Sequence, residues 1–519
     1  MKPLERPVWL LAGVFVLSRL VFAMAGIEFN AAPLVYFWQY ADPALLRDRL
    51  FETLLFMHGQ PPLYNLFLGA VLKIFPGHEL LAFKLIYLAC GLGLTLSLYA
   101  LARCLDVEKK WAMGLAAAFA VAPATVLYEN WLFYTYPTTL LVCVSGVCFF
   151  RFVRALDFRW GVAFFGCLTA LTLTWSSFHP LWPVLIAVGL ILVTRQRWRV
   201  IAGAALLPGV LIILLCGKNA LLFDRASTSS WLGMSLFKVA AHGLSRDKRQ
   251  ELADAGVISR LAVEPPFIEL GRYAGQLAPP KKTGIAILDR PAKSSGARNL
   301  NNVAYLEISR RYMNDALALL EHSPGRYLYG VADAWLIYFA PASDYKFLEY
   351  DRRRIRTYDK IVNVVLAGQF RHHEFHPRQG AEAAGKKGDG DVAPIYRVGW
   401  FLMAGCLLLL VGCVAVLRRA FEAGEWKSPQ VLLLAYILAT VIYLALIGNF
   451  FEVGENNRFR FAVDPLLFAA AAHLVTRWRR AIRTPEPARP TGPGRARESR
   501  HAAGCPREAA VMGRPPGSR

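Results

Sequence analysis

Residues 31–77 read AAPLVYFWQYADPALLRDRLFETLLFMHGQPPLYNLFLGAVLKIFPG. This stretch follows an apolar run, residues 8–26, and is too polar to form a second run of that length. Its own apolar part, residues 63–75, is short and contains Lys73. Since a helix needs about 20 apolar residues to span a bilayer, residues 63–75 predict a partly inserted helix. The chain therefore crosses a membrane once and then forms a long outer loop, residues 27–81.

Repeated apolar runs predict an all-α polytopic membrane protein. The chain has 519 residues, and 55% of them are hydrophobic. The full-length runs are residues 8–26, 82–103, 111–127, 132–151, 160–176, 180–194, 198–217, 396–417, 430–449 and 461–477. Most are close to the length that spans a bilayer core. We therefore expect about ten spans plus the one partly inserted helix, in a plasma or inner membrane.

Basic connections between the runs predict the orientation of the chain, because Lys and Arg are enriched in cytoplasmic loops. Residues 103–110, 151–159, 195–199 and 418–427 are basic and should be cytoplasmic. The net charge of +22 lies largely beside the runs and in the tail. We interpret it as a membrane signature, and expect no nucleic-acid partner.

This orientation divides the chain into four regions. They are an N-terminal transmembrane module at residues 1–217, a mostly α extracytoplasmic domain at 218–395, C-terminal transmembrane helices at 396–480, and a disordered basic cytoplasmic tail at 481–519. The tail is rich in Pro, Gly and Arg and lacks apolar periodicity, which is typical of disorder.

Two acidic side chains lie in loops that are predicted to be outer. Asp42 follows an aromatic stretch and precedes Pro43, a pattern that also makes it a good helix N-cap. Glu129 lies between two runs in a second aromatic stretch, where the alternative is an ordinary surface carboxylate. A carboxylate can deprotonate or orient an acceptor hydroxyl. Asp42 and Glu129 are therefore the candidate catalytic residues.

Cationic and imidazole side chains near the same loops are candidates for binding a phosphate or an acceptor. They are His58, His179, Lys218, Arg458 and Arg460. The two arginines precede the last run on the outer side, against the usual charge distribution. The alternatives are an interfacial histidine at position 58 and a helix-starting turn at His179.

Other patterns concern structure or other kinds of site. Arg19 lies inside the first run, and we expect it to face the protein interior because a charge facing lipid is costly. Residues 218–395 contain no cysteine, so we expect neither a disulfide nor a Cys zinc site there. The cluster His372, His373 and His376 lies in a basic, Gly-flanked stretch. We expect no cofactor; a divalent metal is possible but not indicated.

The outer-loop acid followed by His58-x-x-Pro61-Pro62-Leu63 resembles the GT-C superfamily of membrane glycosyltransferases. The resemblance is to the family-39-like members, which include protein mannosyltransferases and lipid-A aminoarabinose transferases. Here two residues separate His58 from Pro61, so the chain is a divergent match. Arg458-Phe459-Arg460, followed by Asp464-Pro465, is similar to a terminal motif of many bacterial GT-C proteins.

The resemblance implies a membrane enzyme of the cell envelope that takes a sugar from a polyprenyl-phosphate carrier. The acceptor would be an extracytoplasmic glycan, lipid or protein. Asp42, Glu129 and Arg460 are then expected to converge on one outer cavity. The alternatives are a transporter or flippase, and a polymerase or ligase, for lipid-linked glycans.

Overall fold

The computed structural model describes residues 6–278, 280–370 and 398–483. These residues are largely helical. Within the described ranges there is no β-strand, only two isolated bridges, one of which joins Asn30 and Trp131. The prediction of an all-α membrane protein is confirmed at this level.

The helices of the first half of the chain begin and end as follows. They are α1 (Arg6–Met24), α2 (Pro33–Tyr36), α3 (Pro43–Asp48), α4 (Leu50–Phe56), α5 (Leu63–Ile74), α6 (Glu79–Cys104), α7 (Lys109–Val121), α8 (Pro123–Glu129), α9 (Thr135–Ala155), α10 (Phe158–Thr174), α11 (Leu181–Thr194) and α12 (Trp198–Phe223). Each predicted run up to residue 217 therefore coincides with a helix or, at α7 and α8, with a bent pair.

The second half begins with short helices and ends with long ones. They are α13 (Leu232–Ala240), α14 (Arg246–Asp254), α15 (Ala286–Asp289), α16 (Ala304–His322), α17 (Pro324–Tyr338), α18 (Glu349–Arg352), α19 (Arg356–Val362), α20 (Trp400–Glu422), α21 (Pro429–Phe451), α22 (Asn456–Phe461) and α23 (Asp464–Arg483). Short 3-10 turns at Arg195–Arg197, Arg260–Val263, Leu270–Tyr273, Lys346–Leu348 and Arg353–Ile355, and a π turn at Asn363–Ala367, connect them.

Six helices in the described part of the chain are long and apolar enough to span a bilayer: α1, α6, α9, α12, α20 and α21. The pair α7 and α8 makes a seventh if it is one span. The pair is bent by 57° at Pro123, which lacks an N–H and forces Ala122 into an extended conformation. The predicted count of ten spans is not confirmed, because α10 and α11 are shorter and α23 does not qualify.

The helix α5 has the length expected of a partly inserted segment. Its 12 residues extend for about 18 Å, well short of a bilayer core of about 30 Å. It packs closely on α3 and α4, since a methyl group at Gly69 would overlap the side chain of Leu50. Its first turn places Tyr64 and Asn65 among the loops that precede it.

The loops that were predicted to be outer contact one another at one end of the molecule, here called the outer end. The Asn30 N–H donates to the Asn130 carbonyl at 2.7 Å, which joins the first loop to the second. The Tyr327 hydroxyl donates to the Phe450 carbonyl at 2.9 Å. The second contact joins the segment after α12 to the end of α21. The Ser294 N–H donates to Asp42 at 2.8 Å and joins that segment to the first loop. Which side of the membrane this end faces stays a prediction.

The described residues up to Thr476 form one compact unit. The described residues after it, 477–483, are the end of α23 and belong to a second unit. Within the first unit, the predicted extracytoplasmic segment has its own apolar core, which includes Trp231, Phe237, Tyr305 and Tyr312. Residues 371–397 and most of the predicted tail, residues 484–519, lie outside the described residues.

Candidate functional site

A narrow cleft lies at the outer end between the first loop, the start of α5 and the second loop. We call it the outer cleft; it is lined by Gln39, Tyr40, Gln60, Pro61, Tyr64, Asn65, Tyr134 and Thr174. Its free space is about 180 Å³, including the part that is open to solvent, and no part of it is wide enough for a water molecule in this conformation. Asn65 fixes its wall, because its side chain accepts from the Ala41 N–H at 2.8 Å and donates to the Gln39 carbonyl at 3.3 Å.

Two glutamine side chains of the outer cleft have unsatisfied polar atoms. Oε1 of Gln39 and Oε1 of Gln60 are both buried and have no hydrogen-bond partner among the residues that the structure describes. The Gln39 residue is only 8% exposed. A buried acceptor without a partner costs about 1–3 kcal/mol, and such groups are rare in folded proteins. Two of them lie in one cleft, both from the first outer loop, which makes the cleft a candidate place for a hydrogen-bonding ligand.

Arg458 lies beside the cleft in a cage of aromatic rings. Its guanidinium carbon lies 4.9 Å from the ring centroids of Phe133 and Phe459 and 5.4 Å from that of Tyr134. It donates to Oε2 of Glu455 at 2.7 Å, while its buried Nε atom has no partner within the described part of the chain. A cation held against ring faces is stabilised by the ring quadrupoles. The cage therefore holds a positive charge next to Tyr134, a residue of the cleft.

Glu455 is the carboxylate that pairs with Arg458 beside the outer cleft. Its side chain is 13% exposed. Burial opposes its ionisation, but Arg458, Lys238 and Lys346 together hold the pKa of Glu455 below its usual value. Burial raises the pKa of the Tyr134 hydroxyl. The nearby charge of Arg458 lowers that pKa, and the charge of Glu455 raises it. Glu455 is therefore ionised at neutral pH and electrostatically linked to the cleft.

Asp42 is buried and fully engaged in hydrogen bonds. It caps α3, as the Asp-Pro pattern indicated, by accepting from the Ala44 N–H at 3.1 Å. Its two oxygens also accept from the Ser294 hydroxyl at 2.6 Å and the Ser294 N–H at 2.8 Å. Arg290 lies 3.4 Å away. The carboxylate thus joins the first loop to residues 290–294, and it does not line the outer cleft.

Glu129 is held in a bidentate ion pair with Arg19. Both of its oxygens lie 2.7 Å from guanidinium nitrogens of Arg19, and the Tyr136 hydroxyl donates to Oε2 at 2.8 Å. Its residue is 1% exposed. Gly91 is required for this close approach, since a methyl group there would overlap Oε2 of Glu129. Arg19 therefore faces the protein interior, as predicted, and Glu129 connects α1 to the start of α9.

The three other candidates outside the last motif are held by contacts with the protein itself. Nε2 of buried His58 donates to the Asn301 carbonyl at 3.0 Å, and Nδ1 accepts from the Ser230 hydroxyl at 2.8 Å. Burial lowers the pKa of His58 to about 4. His179 accepts from the Leu181 N–H at 3.2 Å, the contact of a helix-starting turn. Lys218 donates to the carbonyls of Leu55 and Met57, which lie at the end of α4.

Arg460 is likewise enclosed by protein groups. Its Nη1 atom donates to the carbonyls of Tyr338 and Ala340, both at 2.6 Å, and Nε donates to Asp464 at 3.1 Å. The residue is 2% exposed. It therefore stabilises the end of α17 against α22 and α23.

Asp42, Glu129 and Arg460 do not line the outer cleft, although Arg458 from the same motif as Arg460 lies beside it. That these three residues share another cavity stays a prediction. The cleft is formed by uncharged residues, of which the sequence motif contained only Pro61. Gln39 and Gln60 lie within the quoted outer-loop stretch. A glutamine is uncharged and common in loops, so nothing in the sequence distinguishes these two from ordinary loop residues.

Comparison with protein-family models, with curated proteins and with solved structures finds no match for the chain. The geometry is therefore the basis for assigning a function. Among the described residues, no group of three His, Cys, Asp or Glu side chains is placed to hold a metal ion. The cluster His372, His373 and His376 lies outside the described residues.

Proposed function

We propose that the protein is a membrane glycosyltransferase that moves a sugar from a polyprenyl-phosphate carrier to an extracytoplasmic acceptor. The observation that supports this is the pair of unpartnered amide oxygens, on Gln39 and Gln60, in the outer cleft. Sugar hydroxyls are donors that satisfy such acceptors. Because the cleft is narrower than a sugar, binding moves the side chains that line it and gives both amides a partner.

The proposed reaction needs one carboxylate. The acceptor oxygen bonds to the anomeric carbon, while the bond from that carbon to the carrier's phosphate oxygen breaks and the phosphate leaves with its electron pair. The proton of the acceptor hydroxyl passes to the carboxylate. Glu455 is our candidate, since it is ionised and near Tyr134, and Arg458 orients it. Asp42 and Glu129 are then positioning residues for the two loops.

Replacing the cleft glutamines with leucine tests sugar binding, because the substitutions should affect transfer and thermal stability in different ways. In Gln39→Leu and Gln60→Leu we expect transfer to fall at least about tenfold, which corresponds to about 1.4 kcal/mol for a lost hydrogen bond. We expect thermal stability to stay level or rise, because an unsatisfied buried acceptor has been removed. The measurement is transfer from a panel of radiolabelled polyprenyl-phosphate hexoses and pentoses in membranes, with melting of the purified protein.

A matched control is Gln369→Leu. That glutamine is also buried, but it donates to Asp344 at 3.3 Å and does not line the cleft. We expect this variant to lose stability and to keep its transfer rate per folded molecule. Full transfer in both cleft variants would contradict the assignment of the cleft to the sugar.

Glu455→Gln tests the carboxylate. The substitution keeps the size of the side chain and removes its negative charge, so we expect transfer to fall by about 10²-fold or more while donor binding is retained. Glu452→Gln is the control: Glu452 lies in the same connection but is paired with Lys238 at 2.5 Å. Equal effects of the two substitutions on transfer would argue against Glu455 as the base.

A further inference from the structure

The last helical stretch before α20 buries a polar side and exposes an apolar side. It consists of α19 and the π turn Asn363–Ala367, which continue one another without a break. A helix that lies on a protein in water turns its apolar side toward the protein and its polar side toward solvent. The inverted arrangement of this helix therefore needs a physical reason.

Two buried polar residues, four positions apart, attach the helix to the protein. Asp359 pairs with Arg352 at 2.7 Å, and the Asn363 side chain donates to the Ser343 hydroxyl at 3.1 Å. Both residues are buried, and a buried polar group is stable only when it is paired in this way. These contacts fix which side of the helix faces the protein.

Four large apolar side chains lie on the exposed side of the helix and just after its end. We call them the apolar ridge: Ile361, Val365, Leu366 and Phe370, which are 57%, 66%, 54% and 68% exposed. Ile361 is two positions from both buried polar residues, which places it about 200° around the helix from each. A contiguous exposed apolar surface marks a place where protein or lipid binds.

The apolar ridge adjoins the start of α20, a helix of membrane-spanning length. The ring centroids of Phe370 and Phe401 lie 6.1 Å apart. Gly368 permits the close approach of α20, since a methyl group there would overlap the Phe401 ring. The described protein buries only 6% of the most apolar part of α20, so this helix faces lipid along most of its length. The lipid-facing surface of α20 therefore continues onto the ridge.

The residues that follow the ridge in the chain have a composition that is poorly suited to cover it. Residues 371–397 contain nine Asp, Glu, Lys and Arg residues and four glycines. Their large apolar residues are Phe375, Val392, Ile395 and Tyr396. A segment of this kind has little apolar surface to bury. Lipid, which the adjoining helix faces, is the occupant that the neighbouring surface favours.

We propose that the apolar ridge inserts into the bilayer, so that α19 and the π turn lie in the plane of the membrane interface. The apolar face of such a helix lies about 5–10 Å inside the boundary between headgroups and acyl chains. The segment that was predicted to be an extracytoplasmic domain then has one edge in the membrane. Residues 361–370 are too short to span a bilayer, so their apolar content did not indicate this contact. The contact does not depend on any transfer reaction.

The inserted helix is connected to the α21–α22 connection through residues 341–344. Ser343 holds Asn363, as described above, and the Asn457 side chain donates to the carbonyls of Pro341 and Asp344 at 3.0 Å and 2.6 Å. The next residue after Asn457 is the arginine that lies beside the outer cleft. Insertion of the ridge therefore holds this side of the cleft at a fixed height relative to the bilayer.

The test is the membrane depth of a nitroxide label on Val365→Cys, in the full-length protein in nanodiscs. Depth is measured by collision with oxygen, which concentrates in the bilayer, and with a nickel chelate, which stays in water. The signal from the cysteines of the unaltered protein is subtracted. Leu408→Cys in α20 is the reference for lipid, and Leu317→Cys, at an exposed leucine of α16, is the reference for the rest of the outer segment.

We expect the label at position 365 to lie about 5–10 Å below the headgroups, the label at 408 to lie deeper, and the label at 317 to lie in water. A label at 365 that meets the nickel chelate as often as the label at 317 would overturn the proposal. So would a label at 365 that is shielded from both reagents, because residues 371–397 or another protein would then cover the ridge.

A second measurement needs no label, so a label that disturbs the helix does not end the test. An exposed apolar side chain that faces water can be replaced with serine at little cost in stability. In lipid the same change removes apolar contact, so in Val365→Ser, Leu366→Ser we expect hydrogen exchange of residues 356–370 in nanodiscs to quicken at least about tenfold. Leu317→Ser is the control and should leave the exchange of α16 unchanged. Unchanged exchange of residues 356–370 in the double variant would contradict insertion of the ridge.

Discussion

Lys293 is a buried cation in the contact between the first outer loop and the segment that follows α15. It is 5% exposed, and its ammonium group donates to the Phe37 carbonyl at 2.6 Å. Burial lowers the pKa of Lys293 to about 7, against a weaker opposing effect of Asp42. The lysine therefore titrates near neutral pH in the folded protein, and near its ordinary value of about 10.4 when unfolded.

This difference predicts a pH dependence of stability. Between pH 7 and about pH 10 the unfolded chain binds the proton and the folded chain does not, so stability should rise with pH across that interval. The contribution is at most about 5 kcal/mol. In Lys293→Met the rise should be smaller, and the difference between the two melting curves isolates this group. Parallel pH profiles would show that Lys293 keeps its charge in the folded protein.

Residue type alone does not show whether an arginine is used up by contacts within the protein or keeps a donor for a ligand. Arg458 and Arg460 stand two residues apart in one motif, yet Arg460 donates to three protein acceptors while Arg458 keeps a buried Nε without a partner. Both were reasonable candidates from charge and position. The distinction lies in contacts with Tyr338 and Ala340, more than 100 residues earlier, and no local pattern encodes them.

At the scale of an element, residues 290–294 hold the start of α3 in place. Asp42 is the point of attachment, because it accepts from the N–H and the hydroxyl of Ser294 while it caps its own helix. The sequence predicted the cap from Asp42-Pro43. It did not predict the second contact, since Ser294 is distant in the chain and lies in a loop of ordinary composition.

Asp42→Asn tests whether this carboxylate positions the loop. The variant loses charge-assisted bonds to Ser294 and keeps a side chain that can still cap α3, so we expect a loss of about 1–3 kcal/mol. Hydrogen exchange should quicken in residues 33–48 and in 290–298 together. Transfer per folded molecule should fall less than in Glu455→Gln. Unchanged exchange together with abolished transfer would instead identify Asp42 as the catalytic base.

The helices themselves were predictable because their signals are local. Apolar length predicted α1, α6, α9, α12, α20 and α21 to within a few residues. The bend between α7 and α8 is also a local effect of Pro123, although the run was predicted as one span. Apolar length did not predict the number of membrane crossings in the same way. Helices α10 and α11 are apolar but shorter than a full span, so whether they cross the membrane is not decided by their own length.

At the scale of the whole molecule, some connections between helices contact one another at the outer end, and others make contacts elsewhere. Near the outer end, Lys238 pairs with Glu452, which joins the segment after α12 to the α21–α22 connection. Elsewhere, His473 in α23 contacts the Leu105 carbonyl at the end of α6, at 2.6 Å. The charge pattern made the same separation, since the basic segment 103–110 was predicted to lie on the other side of the membrane from the outer loops. The contacts and the charges therefore agree on which connections lie at the same end of the molecule. Which side of the membrane each end faces has to be assigned by experiment.

Labelling with a membrane-impermeant maleimide on intact cells makes that assignment. Gly296→Cys lies in the exposed loop that holds Asp42, and Glu425→Cys lies in the exposed connection between α20 and α21. We expect labelling of the first from outside, and of the second only after the membrane is permeabilised, because the basic segment around residue 425 is retained in the cytoplasm. The unaltered protein is the control for its own cysteines. The reverse pattern would place the outer cleft in the cytoplasm, where an extracytoplasmic acceptor could not reach it.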